Sequence, residues 1–234
     1  MASGRWRIAS GLLIVPAVVG GLAGCSGGGQ STASTSASTT ASNGFTAAKL
    51  QKALLTQVNG VAAAAPATSG KYSSVSQASA SKAGASGAQV TPKACSQAAT
   101  EGFDPSALAG SPAAAVTFRV GTNGVSEVLV SSTAKSATTA LASNVPAECK
   151  QYKETIGGKT YTYGVQEKSV SGVGSQAKVL NVHAAGTKAV DLWSLIYRGT
   201  GFVGTVTVVG PNASEQAVQQ LGQQAYAFAV KSLS

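Results

Sequence analysis

The chain has 234 residues, with 17 Lys and Arg against 8 Asp and Glu, one His and three Cys, for a net charge of +9. That length holds one domain with a real core. The lysines, among them Lys135, Lys150, Lys153, Lys159, Lys168, Lys178 and Lys188, are scattered without runs or interleaved aromatics, which argues against nucleic acid. They read as solvated surface, with an acidic partner such as anionic headgroups or a wall polymer as the alternative. One histidine and two remote cysteines are too few ligands for a metal site, and no cofactor motif is present.

Residues 1–24 have signal-peptide grammar: Arg5 and Arg7, an apolar run from Ile8 to Val19, then small residues. The run to Ala23 is short for a span of roughly 20 residues, and Gly11, Pro16, Gly20 and Gly21 weaken it as a helix. Leu22-Ala23-Gly24-Cys25 resembles the bacterial lipobox. The resemblance implies cleavage before Cys25 and a diacylglyceryl thioether on its sulfur, hence a lipid anchor on the extracytoplasmic face of the cell membrane. Acyl chains contribute about 0.8 kcal/mol per buried CH₂, so two or three would hold the protein durably.

With Cys25 so used, Cys95 and Cys149 remain. In an oxidising compartment two cysteines read as one disulfide. Free buried thiols or a redox pair are the alternatives, although a redox pair is usually C-x-x-C. After Cys25, residues 25–44 are Gly, Ser, Thr and Ala with one Gln and one Asn, have little to bury, and are expected to be a disordered tether. Residues 45–234 are then a single extracytoplasmic domain.

Within it, Ala47, Leu50, Leu54 and Val58 predict a helix over Thr46–Val58, capped by Thr46 and stopped by Asn59-Gly60. Val61 to Gln89 reads as a long loop with a short strand near Tyr72–Val75. Pro92 to Thr100 reads as a helix carrying Cys95. Val116, Phe118 and Val120 alternate with Thr117 and Arg119, a half-buried strand, and Thr122-Asn123-Gly124 predicts the turn into Val125–Ser131. Ala134–Ala142 is a helix that delivers Cys149 to the next strand. Gln151–Ile156 and Lys159–Glu167 pair across Gly157-Gly158. Gln176–Ala184, Lys188–Arg198 and Phe202–Val209 continue the meander. Asn212 and Glu215 open a last helix, whose stripe is Val218, Leu221, Ala225, Phe228 and Ser232, with Gly222 and Ala229 beside it. This order predicts an α+β fold, an antiparallel sheet with helices packed on one face.

The Cys95 helix, the Ala147-Glu148-Cys149 segment before a strand, and the last strand, Gly201 to Val209, running into a long terminal helix resemble one known group. These are actinobacterial lipoproteins related to the extracellular sensor domain of receptor-type serine/threonine kinases. The resemblance implies a sensor-like α+β fold with a ligand cleft and no established catalytic residues.

No catalytic set emerges. His183 lies in a predicted strand, and no G-x-S-x-G or phosphate-loop pattern accompanies it. Asp104 reads as a turn former and Asp191 as a surface residue. Trp193 and Tyr197 share one face of a strand, and Tyr161 and Tyr163 share a face of another. These aromatics read chiefly as core, yet are the first place to look for a ligand surface. The expectation is a membrane-anchored binding or sensor-like lipoprotein, not an enzyme, taking a small-molecule, lipid or wall-polymer ligand. The alternative is a lipid or glycolipid carrier of the cell envelope.

Overall fold

A computed structural model describes residues 44–76, 89–95, 105–156, 158–184 and 191–234. Helix α1 (Ala47–Lys52) starts at Thr46, whose side chain accepts the Lys49 amide. It stops well short of Val58. Residues 57–62 instead form a small hairpin, β1 (Gln57–Val58) and β2 (Val61–Ala62). Asn59 (φ 49°) and Gly60 (φ 78°) make its turn. The Asn-Gly pair is therefore a hairpin corner with two left-handed residues, not a helix stop.

The remaining described strands form one antiparallel sheet: β3 (Thr68–Lys71), β4 (Gln89–Thr91), β5 (Pro112–Val120), β6 (Asn123–Ser131), β7 (Gln151–Ile156), β8 (Lys159–Val170), β9 (Gln176–Ala184), β10 (Asp191–Gly199) and β11 (Phe202–Gly210). Their spatial order is β3-β5-β6-β11-β10-β9-β8-β7-β4. The short strand predicted near Tyr72–Val75 is instead helical, over residues 72–76. The expectations that fall on residues 1–43 (the leader, Cys25 and most of the tether), 77–88, 96–104, 157 and 185–190 lie outside the described residues.

Helix α2 (Ala134–Ala142) has the predicted bounds. Helix α3 (Glu215–Leu233) begins at Ser214, whose side chain accepts the Ala217 amide. Asn212 does not cap it. Its amide donates to Asn123 Oδ1 at 3.3 Å and its side chain to Thr122 Oγ1 at 3.4 Å, which ties the helix entry to the β5–β6 turn. That turn is Gly121-Thr122, because Val120 pairs with Asn123.

Strand alternation divides the sheet into two faces. On the first, Val116, Phe118, Val125, Leu129, Val179, Leu195, Phe202 and Val206 meet α1 and α3. The buried stripe of α3 is Val218, Leu221, Gly222, Ala225, Ala229 and Leu233. It is rotated from the predicted one, because the small residues lie against the sheet and Phe228 does not. On the second face, Ala113, Ala115, Val130, Ile196 and Val203 pack with Ala137, Ala140 and Leu141 of α2 and with Leu108 of the short 3-10 helix Pro105–Leu108. The fold is α+β, and the terminal helix covers the first face as its stripe predicts. Helix α2 covers part of the second, where β10 and β11 contribute Ile196 and Val203, so under that helix these central strands are apolar on both sides.

A third cluster lies over β7, β8 and β9: Val145, Tyr152, Val165, Leu180 and Val182 surround Cys95 and Cys149. The two sulfurs are bonded, with Cα atoms 5.3 Å apart. The bridge ties Cys95 to the 3-10 turn Ala147–Cys149 that leads into β7.

Candidate functional site

The register brings a row of hydroxyls across the second face. Thr117 pairs with Ser126, Ser126 with Thr207, and Thr207 with Ser194. Ser194 is buried, and its Oγ lies 2.8 Å from Thr207 Oγ1. The other three border a groove of about 340 Å³. Its side wall is the 64–66 segment, held to the edge of β5 by the Ala64 amide donating to Thr117 O at 2.8 Å. Ala64, Ala65, Pro66 and Val209 supply apolar surface, and Arg119 supplies the cation. An apolar concavity with a few placed polar groups is the usual form of a small-ligand site.

The sequence reading missed this groove. Thr117 and Arg119 are visible as the polar half of an alternating strand, but only strand order sets them beside Ser126 and Thr207, which lie 9 and 90 residues further along.

The four singled-out aromatics do not line one surface. Tyr197 is 0% exposed on the first face, enclosed by Phe202 and Tyr226 at ring-centroid distances of 6.2 and 5.7 Å. Its ring tip lies over Gly204, where a Cβ would stand 2.2 Å from Tyr197 Cζ. Trp193 shares that face, half-buried at the margin of the core. Tyr163 is on the opposite face and stacks on Tyr152 at 5.0 Å. Tyr161 shares its parity and is exposed. Burial and the Glu154 carboxylate together push Tyr163 up to about 12. The same two causes raise Tyr152, and for both tyrosines burial is the larger.

Charges are buried where the sequence offers no hint. Glu127 is 1% exposed on β6, on the face of Val125 and Leu129. Its Oε2 accepts the Leu55 amide at 2.8 Å, while Oε1 has no hydrogen-bond partner. Burial pushes its pKa up to about 7, against the lowering effect of the Leu55 bond. The Tyr197 hydroxyl is likewise unbonded, and burial, then the Glu127 charge, holds its pKa well above the usual value.

Lys178, expected in solvent, is buried on the second face. Its Nζ donates to Ser143 O just past α2 and lies 3.6 Å from Glu167 Oε2. Burial lowers its pKa, and Glu167 opposes the shift. Glu167 Oε1 also accepts the Val145 amide at 2.9 Å. His183 and Asp191 are cross-strand partners, with Nδ1 2.5 Å from Oδ1 and half of the His183 side chain exposed. Asp104 lies outside the described residues. Among the described residues no three His, Cys, Asp or Glu side chains gather as a metal site, and no helix is long and apolar enough to cross a membrane.

No family model matches the chain, and no curated protein matches it in sequence. In structure it is similar to the extracellular domain of PknH from Mycobacterium tuberculosis, at 17% identity and a TM-score of 0.45, covering 62% of this chain and 77% of that one. It is also similar to an uncharacterised Mycobacterium smegmatis protein, an ortholog of Rv0999, at 17% identity and a TM-score of 0.39 over the same shares.

Proposed function

We propose that this chain is an extracytoplasmic binding module of sensor type, held at the membrane by lipid on Cys25, with the groove over Thr117, Ser126 and Thr207 as its ligand site. The observation that carries the reading is the groove itself. At about 340 Å³ it is within the size range of small-molecule sites. Its hydroxyl row supplies donors and acceptors, Arg119 supplies a charge for an anionic or carboxylated ligand, and the Ala-Pro wall supplies contact area. An oxidising compartment is supported by the Cys95–Cys149 bond, and the anchor by Leu22-Ala23-Gly24-Cys25 behind a basic, apolar leader.

The test is a thermal-shift screen of sugar acids, wall-derived saccharides and short-chain lipids on the full chain in a non-ionic detergent. Ser126→Trp, whose indole would fill the groove, is screened beside it. A compound that stabilises the parent chain and not the variant supports the reading. A compound that stabilises both equally places the ligand elsewhere. The apolar wall also favours a second reading, a lipid or glycolipid carrier, which native mass spectrometry would support through a co-purifying acyl species that Ser126→Trp displaces.

A further inference from the structure

The connection from α1 to β3, residues 55–67, passes along the edge of β5 and carries one wall of the groove. It starts on the first face, where the Leu55 amide donates to Glu127 Oε2 at 2.8 Å. It turns back through the β1–β2 hairpin, and the Ala64 amide then donates to Thr117 O at 2.8 Å. Ala64, Ala65 and Pro66 border the groove before the chain enters β3 at Thr68. Among the described residues, those two bonds are its hydrogen bonds to the sheet.

Little else holds this segment down. Val58 is its one buried side chain, and the others are exposed or half-buried. Val58 and Asn59 also border a second cavity, of about 120 Å³, shared with Gln220 and Gln224 of α3. A segment with few buried apolar contacts opens locally at a fraction of the cost of global unfolding. Its far end is braced, because Gln51 Nε2 donates to Ala67 O at 3.1 Å and Gln51 Oε1 accepts from the Ser69 hydroxyl at 2.9 Å. Release would therefore stop at Ala67 and leave β3 and the groove floor in place.

The first foothold is a buried carboxyl without a counter-charge. From β10 it is faced by Tyr197, whose hydroxyl is unbonded, with Tyr226 of α3 behind that ring. Its cross-strand neighbours on β5 and β11 are Val116 and Val206. The α1 end contributes Leu50, Ala53 and Leu54 to the same core. Lys49 of that helix is committed to Leu233 O and to the Phe45 ring, and Lys52 is exposed. No ion pair among the described residues includes Glu127.

An ionised Glu127 would have the Leu55 amide as its donor, and its Oε1 would have none. A charge so enclosed is strongly disfavoured against the neutral acid, in keeping with the rise of this carboxyl to about 7. Departure of Leu55 admits water to the carboxylate. Ionisation and closure therefore oppose each other.

We propose that residues 55–67 are a proton-operated strap: with Glu127 protonated they close the side of the groove, and with Glu127 ionised they leave the edge of β5 and withdraw its wall. The protonated state is the binding state. Control of a ligand by the strap rests on the groove being a ligand site, whereas release of the strap does not and is measurable without ligand.

The test is hydrogen exchange of the full chain in a non-ionic detergent, read by mass spectrometry on peptides from 55–67 and from α3, between pH 5 and pH 8. Each rate is divided by the intrinsic amide rate at that pH. With Glu127 at about 7 when enclosed and 4.5 when released, opening of 55–67 should rise about 70-fold from pH 5 to pH 8. Low urea should leave exchange of 55–67 unchanged, because release exposes little surface, while exchange of α3 should accelerate. Glu127→Gln keeps an acceptor for Leu55 and should abolish the pH dependence. Protection of 55–67 that stays constant from pH 5 to pH 8 would overturn the proposal, as would a pH dependence that survives in Glu127→Gln. Exchange of 55–67 that accelerates with urea as α3 does would also overturn it, because that marks global unfolding. The pH and urea series are both run on the parent chain, so they decide the outcome if Glu127→Gln does not fold. A strap still closed at pH 8 would refute this device and leave the groove to its own ligand screen. A screen without hits would leave a measured release standing.

Discussion

At Glu127 the fold holds a carboxyl where water cannot reach it, with one amide for company. Its pKa of about 7 when folded lies above its ordinary 4.5, so the folded state binds the proton more tightly than the unfolded state. Stability from this group is therefore full below about pH 4.5 and is lost as pH rises through about 7, a difference of about 3 kcal/mol. Glu127→Gln keeps an acceptor for Leu55 and carries no charge. It should raise the melting midpoint at pH 8, change it little at pH 4.5, and flatten the profile between. A variant with the parent's slope would show that this carboxyl is not what titrates. Gly204 is the other residue-scale constraint. A Cβ there would meet the Tyr197 ring at 2.2 Å, so Gly204→Ala should cost about 1–3 kcal/mol in urea unfolding, with an unchanged slope against denaturant.

Between elements, two devices hold the second face. The disulfide closes a loop of 54 residues, which the chain-entropy model makes worth about 4 kcal/mol. Cys95→Ser with Cys149→Ser should lower stability by that order, and reducing agent should reproduce it in the parent chain. An insensitive parent would show the bond to be absent. The Lys178–Glu167 pair joins the end of α2 to the sheet, with side chains only 9% and 18% exposed. Lys178→Met leaves Glu167 buried without its cation and should cost about 3 kcal/mol. Adding Glu167→Gln should recover much of the loss. If the double variant is no better than the single, lysine packing rather than charge pairing is responsible.

At the scale of the whole molecule, the sheet has helices on one face and a mixture of helix and open groove on the other. That asymmetry leaves one face closed by helices and a groove on the other. The groove opens where the hydroxyls of β5, β6 and β11 are uncovered, beyond the reach of α2. The anchor proposed on Cys25 is tested at this scale too. Labelling of cells with palmitate should mark the chain, and Cys25→Ala should abolish the label. Persistent label would show that the acyl chain is attached at another residue.

How far the chain announces this arrangement depends on the range of the interaction. Period-two alternation, the bounds of α2, the strand β9, the pairing of β7 with β8 and the pairing of two cysteines follow from neighbouring residues or from counting. They were readable before any fold was known. Asn59-Gly60 has one chemistry and two uses, and the use depends on whether Leu55 continues a helix or gives its amide to Glu127. Asn212 and Ser214 both have capping chemistry, and contact with Thr122 and Asn123 commits the first elsewhere. The terminal stripe shifts because small residues approach the sheet more closely than Phe228 can. Burial of Lys178 and Glu127 and separation of Tyr197 from Tyr163 by the thickness of the sheet require strand order and register. Those are set by packing among segments distant in sequence, and no local pattern encodes them.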